Sequence, residues 1–238
     1  MLDAHVDSES TMKDQIKKSF GRGLAAAALG VGLLGHAAWA EELDPEAIER
    51  GKAATVACVA CHQADGSGMN NEGAEPWPRL TGLHPDYIVT QLKDFKEGRR
   101  TNPSMQPFAN MLADDQLADV AAYYASLEVV TAEPVEAPAE LLERGRELAL
   151  NGDWDRYIVA CVSCHGPGNH GVGGTFPNIS GQHPAYIVAQ LQAWKAGERE
   201  NDPLGLMKSI AQRMTDEDIQ AVAAWLGQQP VLPENETE

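Results

Sequence analysis

Apolar positions recur along the chain with a helical period, and the pattern occurs twice. Ile88, Leu92 and Phe95 share one helix face, and Ile187, Leu191 and Trp194 share another 99 residues later. A later helix in the first copy carries Leu117, Val120, Tyr124 and Leu127 on one side, and its counterpart carries Ile219, Val222 and Leu226. Thr215 followed by Asp218 predicts a capping box at the start of the second of these helices. Ala113 stands where Thr215 does, so Asp114 is expected to cap the first. No stretch alternates with period two, which predicts an all-α chain without substantial sheet.

The apolar pattern at the N-terminus is different. A run rich in Ala, Leu and Gly from Gly23 to Gly35 follows Lys13, Lys17, Lys18 and Arg22, and Ala38-Trp39-Ala40 supplies a small-residue cleavage pattern. Residues 1–40 are expected to be an export signal, with Glu41 the first mature residue. The competing reading is an uncleaved anchor, but the run is shorter than the roughly 20 apolar residues that span a bilayer. Export places the protein in the periplasm, with peripheral membrane association allowed.

The remainder is a duplication. Glu49-Arg50-Gly51-Lys52 matches Glu143-Arg144-Gly145-Arg146, Trp77-Pro78-Arg79-Leu80 matches Phe176-Pro177-Asn178-Ile179, and His84-Pro85-Asp86-Tyr87-Ile88-Val89 matches His183-Pro184-Ala185-Tyr186-Ile187-Val188. The expected division is a first domain at 41–128, a linker at 129–139, a second domain at 140–230 and a polar tail at 231–238. The linker holds Pro134 and Pro138 and has no apolar period, so it reads as stiff. Gly51 and Gly145, set against Tyr123 or Tyr124 and Trp225, predict a close crossing of first and last helices in each copy.

Composition narrows the function. The formal net charge is −17, which argues against nucleic acid and allows a basic protein partner. Residues 1–40 hold four acidic and four basic side chains, so the imbalance belongs to the rest. Aromatic residues are only 6% of the chain, too few to build two small cores without another source of apolar mass. The long Gly-rich stretches Gln63 to Pro78 and Gly166 to Pro177 also need something to enclose.

The four cysteines identify that something. They form Cys58-Val59-Ala60-Cys61-His62 and Cys161-Val162-Ser163-Cys164-His165, and Cys-x-x-Cys-His is the attachment signal of c-type haem. One helical turn presents both sulfurs to the vinyl groups of a porphyrin edge, and the histidine that follows turns its imidazole to the iron. A disulfide leaves each histidine unexplained, a shared Cys₄ zinc site leaves both idle, and a thioredoxin-like pair needs a βαβ context that is missing. Two covalently bound haem groups are therefore expected, with His62 and His165 as iron ligands.

The second axial ligand separates open, reactive sites from closed, electron-carrying ones. Met105 lies 43 residues after His62, and Met207 lies 42 after His165. Met69 and Met111 lack counterparts, and Met214 matches Leu112. The matched pair, Met105 and Met207, is the favoured choice over core packing. His84 and His183 also match and leave bis-histidine ligation as the alternative, although each precedes a helix-opening proline and reads as a surface or turn residue. His170 has no partner in the first copy and is expected to be exposed. Pro78 and Pro177 are the candidates to accept the other ring N–H of the proximal histidines through their carbonyls.

These residues resemble the dihaem cytochrome c4 family, from Glu49 to about Gln228. The resemblance implies two tandem class I cytochrome c domains related by pseudo-twofold symmetry, each a few helices around one covalently bound haem, with propionates near their interface. It implies His/Met ligation, here His62 with Met105 and His165 with Met207. It also implies electron passage from a quinol-oxidising bc-type complex to a terminal oxidase or reductase. The sequence departs at Leu83, where the second copy has Gln182. A second function is the haem subunit of an oxidoreductase such as a flavocytochrome sulfide dehydrogenase, and a third is a dihaem peroxidase with an open iron. The chain has no flavin or nicotinamide fingerprint of its own, so a carrier rather than an enzyme is expected.

Overall fold

The computed structural model describes residues 43–130 and 135–231. The export segment at 1–40, residues 131–134 of the linker and the tail beyond Val231 lie outside the described residues. In the first copy α1 (Pro45–Ala54), α2 (Val59–His62), α3 (Pro85–Lys96), α4 (Met105–Met111) and α5 (Gln116–Ser126) follow one another. The second repeats them as α6 (Ala139–Leu150), α7 (Val162–His165), α8 (Pro184–Ala196), α9 (Leu206–Ala211) and α10 (Asp216–Gly227). Among the described residues the only β pairings are isolated bridges.

The helices begin where local chemistry satisfies their first N–H groups. Pro45 and Pro85 open α1 and α3, while Asp44 and His84 accept the N–H of Glu46 and Asp86. Thr215 and Asp218 form the expected capping box on α10. The expected cap at Asp114 is not made. Asp114 pairs with Lys96 at 2.7 Å, and Gln116 accepts the Ala113 N–H at 2.9 Å instead.

Two cores result, one per copy. Ile88, Leu92, Phe95, Leu117, Val120 and Tyr124 are buried in the first, and Ile187, Leu191, Ile219, Val222 and Leu226 in the second. Leu127 and Trp194 pack against these cores half-buried. First and last helices cross at glycine in both copies. A Cβ on Gly51 would stand 2.0 Å from the Asp119 carbonyl oxygen, and one on Gly145 would stand 2.1 Å from that of Ala221.

The second copy has a longer passage between its first helix and its haem motif. A 3₁₀ turn at Trp154–Arg156 is held by ion pairs, in which Arg144 and Arg156 each bind both Asp153 and Asp218. Burial raises the Asp218 pKa, but hydrogen bonds from Arg156, Thr215 and Arg144 outweigh it and hold the carboxyl well below its usual range.

Two outcomes follow. Gly51→Ala and Gly145→Ala are each expected to lower stability by about 1–3 kcal/mol by overpacking, against the roughly 1 kcal/mol that alanine adds to helix propensity; denaturant unfolding of the intact protein measures this. Because the Asp218 pKa is depressed in the folded state, its stabilisation is present above the unfolded carboxylate value near 3.9 and is lost as pH falls through the folded value. Asp218→Asn should lower the melting temperature at neutral pH and flatten its decline below about pH 4, read from melting curves across the acid range.

Candidate haem sites

Each Cys-x-x-Cys-His motif forms one helical turn. The His62 N–H bonds the Cys58 carbonyl at 2.9 Å, and His165 bonds Cys161 at 2.9 Å. The turn stops at once because the next residue takes a left-handed φ, 63° at Gln63 and 75° at Gly166. The chain then folds back on the histidine. Gly68 N–H bonds the His62 carbonyl at 3.0 Å and Gly171 N–H bonds that of His165 at 2.7 Å. Isolated bridges Met69–Trp77 and Val172–Phe176 close the two loops.

That return delivers the proline carbonyls. His62 Nδ1 lies 2.9 Å from the Pro78 oxygen and His165 Nδ1 lies 2.7 Å from that of Pro177. A carbonyl only accepts, so Nδ1 carries the proton and Nε2 is left as a lone-pair donor to a metal. Both rings are buried. Burial lowers their pKa values, opposed by the proline carbonyls, so both imidazoles are neutral and ligand-competent at pH 7.

The four cysteines are unpaired and half-buried. Burial pushes the Cys58 thiol up and that of Cys161 up to about 11, the reverse of the lowered values that redox-active Cys-x-x-Cys pairs need. Among the described residues no three His, Cys, Asp or Glu side chains gather as a metal cluster. Neither the disulfide nor the shared zinc reading is therefore formed.

The methionines divide as their positions do. Met105 packs against the first core, as Cys58 and Leu80 do, and Met207 against the second, as Cys161 and Ile179 do. Each is held at the start of a short helix, the Met105 N–H by Asn102 Oδ1 and the Met207 N–H by Asp202 Oδ2, both at 2.7 Å. Met111 is 73% exposed, Met69 is 41% exposed, and Met214 is buried in the core.

Of the remaining histidines, His183 and His170 differ from expectation and His84 does not. His183 is buried between the copies, where its Nε2–H donates to the Ser67 carbonyl at 2.8 Å. His84 serves as the cap of α3 through Nδ1. His170, expected at the surface, is buried beside Gly168 of its own loop.

Sequence reasoning missed the polar residues between the copies. Arg100 donates to its own Gln91 and, across the interface, to Tyr186 at 2.6 Å and Gln190 at 2.9 Å. Arg199 mirrors it, donating to its own Gln190 at 2.8 Å and to Tyr87 and Gln91 of the other copy. The signal was present as the repeated Tyr-x-x-x-Gln at 87–91 and 186–190, one helical turn apart, with an arginine nine residues on in each copy. Arg79 is fully buried and donates to the carbonyls of Ser180, Gly181 and Thr81. Burial pushes its pKa down to about 10, so it stays charged at neutral pH.

These groups test the fit of haem. Arg79, Arg100 and Arg199 are buried cations with no carboxylate at ion-pair distance among the described residues. The indole N–H of Trp194, stacked under the Arg199 guanidinium at 4.0 Å, is buried with no acceptor. Buried cations held on neutral acceptors, beside an indole N–H with none, suit a further acidic group. Propionates answer that need, the cysteines suit thioether attachment, and the free Nε2 atoms suit iron. The donor set fits two c-type haems.

The comparisons agree. The cytochrome c family model matches residues 48–128 and 142–230. A thiosulfate dehydrogenase electron acceptor from Thiomonas intermedia is 43% identical over 86% of this chain and 92% of its own. Among solved structures, a thiosulfate dehydrogenase from Marichromatium purpuratum superposes with a TM-score of 0.70 at 40% identity over 77% of this chain, which spans only 40% of that protein. Reduced cytochrome c4 from Pseudomonas stutzeri superposes with a TM-score of 0.68 at 30% identity, over 77% of this chain and 98% of the other. The chain belongs to the cytochrome c family, as a tandem-domain, cytochrome c4-like electron-transfer protein that carries two covalently bound haem c groups.

Proposed function

We propose that this protein is a periplasmic carrier that takes electrons from a thiosulfate dehydrogenase and passes them to a terminal oxidase or reductase. The observation that carries the donor is the 43% identity with an electron acceptor of that enzyme along nearly its whole length. A second reading, with a quinol-oxidising bc-type complex as donor, draws support from the likeness to cytochrome c4. In both, the domains run 41–128 and 140–230 on either side of the linker at 129–139, the tail is 231–238, and residues 1–40 export the chain. No helix among the described residues is long and apolar enough to cross a membrane.

Bound haem supplies a one-electron ferric/ferrous couple. The chain's part is to keep the site closed and unchanging. His62 and His165 stay neutral and oriented by Pro78 and Pro177. Met105 and Met207 would supply the second ligand to each haem, a role supported by the hold of Asn102 and Asp202 on their backbones and by their packing on the same cores as Cys58 and Cys161. His84 spends its Nδ1 lone pair on the Asp86 N–H as the cap of α3, and His183 is buried against the Ser67 carbonyl of the other copy, placements that support the methionines over bis-histidine ligation. A filled site favours electron transfer over peroxide or gas chemistry.

Met105→Ala and Met207→Ala should each abolish the far-red methionine-to-ferric band of one haem and leave the other; a band that survives intact in either variant sinks that ligand. In stopped-flow mixing, reduction by thiosulfate dehydrogenase should be fast and should slow steeply with salt, because an acidic carrier docks on a basic face. Rapid reduction only by bc-complex-containing membranes selects the second reading, and a flat salt response removes the electrostatic docking.

A further inference from the structure

We infer that Gln182 is a positioning residue for the first haem, acting from the second domain through the peptide that holds His62. The side-chain amide of Gln182 is buried and makes a two-point clamp on Arg79. Its oxygen accepts the Arg79 N–H at 2.9 Å, and its nitrogen donates to the Arg79 carbonyl at 3.0 Å. The same oxygen accepts the His183 N–H at 3.0 Å, which ties the clamp to the start of α8.

The Arg79 N–H and the Pro78 C=O belong to one peptide unit. An acceptor on that N–H polarises the amide and makes its oxygen a better acceptor in turn. That oxygen is the one bonded to His62 Nδ1–H at 2.9 Å. The chain of contacts is therefore Gln182 Oε1, the Pro78–Arg79 peptide, then His62. A stronger acceptor at Nδ1 raises the basicity of Nε2, and a more basic axial ligand favours the ferric state.

The arrangement is one-sided. The position equivalent to Gln182 in the first domain is Leu83, whose side chain has no donor or acceptor to place on the Pro177–Asn178 peptide. Other contacts reinforce the one-sidedness: His183 bonds the Ser67 carbonyl at 2.8 Å, and Ala185 N–H bonds Asn70 Oδ1 at 3.0 Å, so the start of α8 is seated on the first domain's loop. Otherwise identical ligand sets are thereby given different surroundings, with the first haem biased toward its oxidised form by a residue of its neighbour.

The inference rests on His62 as an iron ligand, and the experiment separates the two. The haem-loaded protein and its Gln182→Met variant, which keeps length and loses both hydrogen bonds, are titrated electrochemically with each haem followed by proton NMR. The first haem should become easier to reduce, its ferrous-to-ferric ratio at fixed potential rising by up to about tenfold, while the second stays put. The hyperfine-shifted ring N–H of His62 should exchange faster in the variant. Equal shifts of both haems mean a loosened interface and overturn the inference, as does an unmoved first haem. Absence of hyperfine-shifted His62 ring signals from the unaltered protein refutes the ligation itself. Should the variant fail to fold, the Arg79 amide of the unaltered protein decides: strong protection from hydrogen exchange is expected, and rapid exchange overturns the clamp.

Discussion

The hydrogen bond from an imidazole Nδ1–H to a proline carbonyl, made once in each copy, sets the requirements that the surrounding chain meets. A buried neutral imidazole needs an acceptor for its N–H if the other nitrogen is to serve a metal. The acceptor comes from 16 residues further on in the first copy and 12 in the second. A loop of that length must leave the histidine sharply and return without strands to guide it. The left-handed residue after each histidine provides the exit, and the single bridge in each loop provides the return. Proline at the end of the loop suits the task, since it has no N–H of its own to satisfy and its carbonyl is free to accept.

The interface between the copies carries the opposite kind of requirement. Three guanidiniums are buried there, and burying one cation has an effective penalty of several kcal/mol when it lacks a counter-charge. Tyrosine hydroxyls, glutamine amides and backbone carbonyls accept from them, and Phe95 and Trp194 stack beneath Arg100 and Arg199. Burial and the neighbouring Arg100 charge both lower the Arg199 pKa, which reports two cations held close together. Neutral acceptors compensate less than carboxylates do. An acidic cofactor edge at this seam would add the charge that these neutral acceptors do not supply.

What could be read from the chain alone followed from local period and spacing. The helix faces of Ile88 and Leu92, the capping box at Thr215 and the crossing glycines are properties of a few adjacent residues, and they stand where the pattern placed them. The haem motifs are local for the same reason. The proline acceptors were also legible, because the repeat set the same residue at the end of both loops. Burial of His183 was not, since nothing within its own segment shows the surface it meets. His183 finds its acceptor 116 residues earlier, in the other copy. The Asp114 cap failed for a related reason: Lys96, from another helix, claimed the carboxylate. Nothing beside Arg79 in the sequence marks it for burial, which comes with contacts to Ser180 and Gly181 of the second domain.

The duplication explains why the differences between copies matter more than the likenesses. Two identical domains would hold two identical couples, and an electron would have no preferred resting place between them. The arginine, tyrosine and glutamine cluster obeys the pseudo-twofold relation and treats both sides alike. Arg79, Gln182 and His183 break it: their counterparts Asn178 and Leu83 are different residues, and His84 caps its own helix where His183 bonds the other copy. The symmetric set joins the domains and the asymmetric set distinguishes them. Both act at one seam, next to the loops that hold the proximal histidines. A single polar-to-apolar difference at position 83 versus 182 is therefore placed where it changes the environment of one iron without altering the ligands of either.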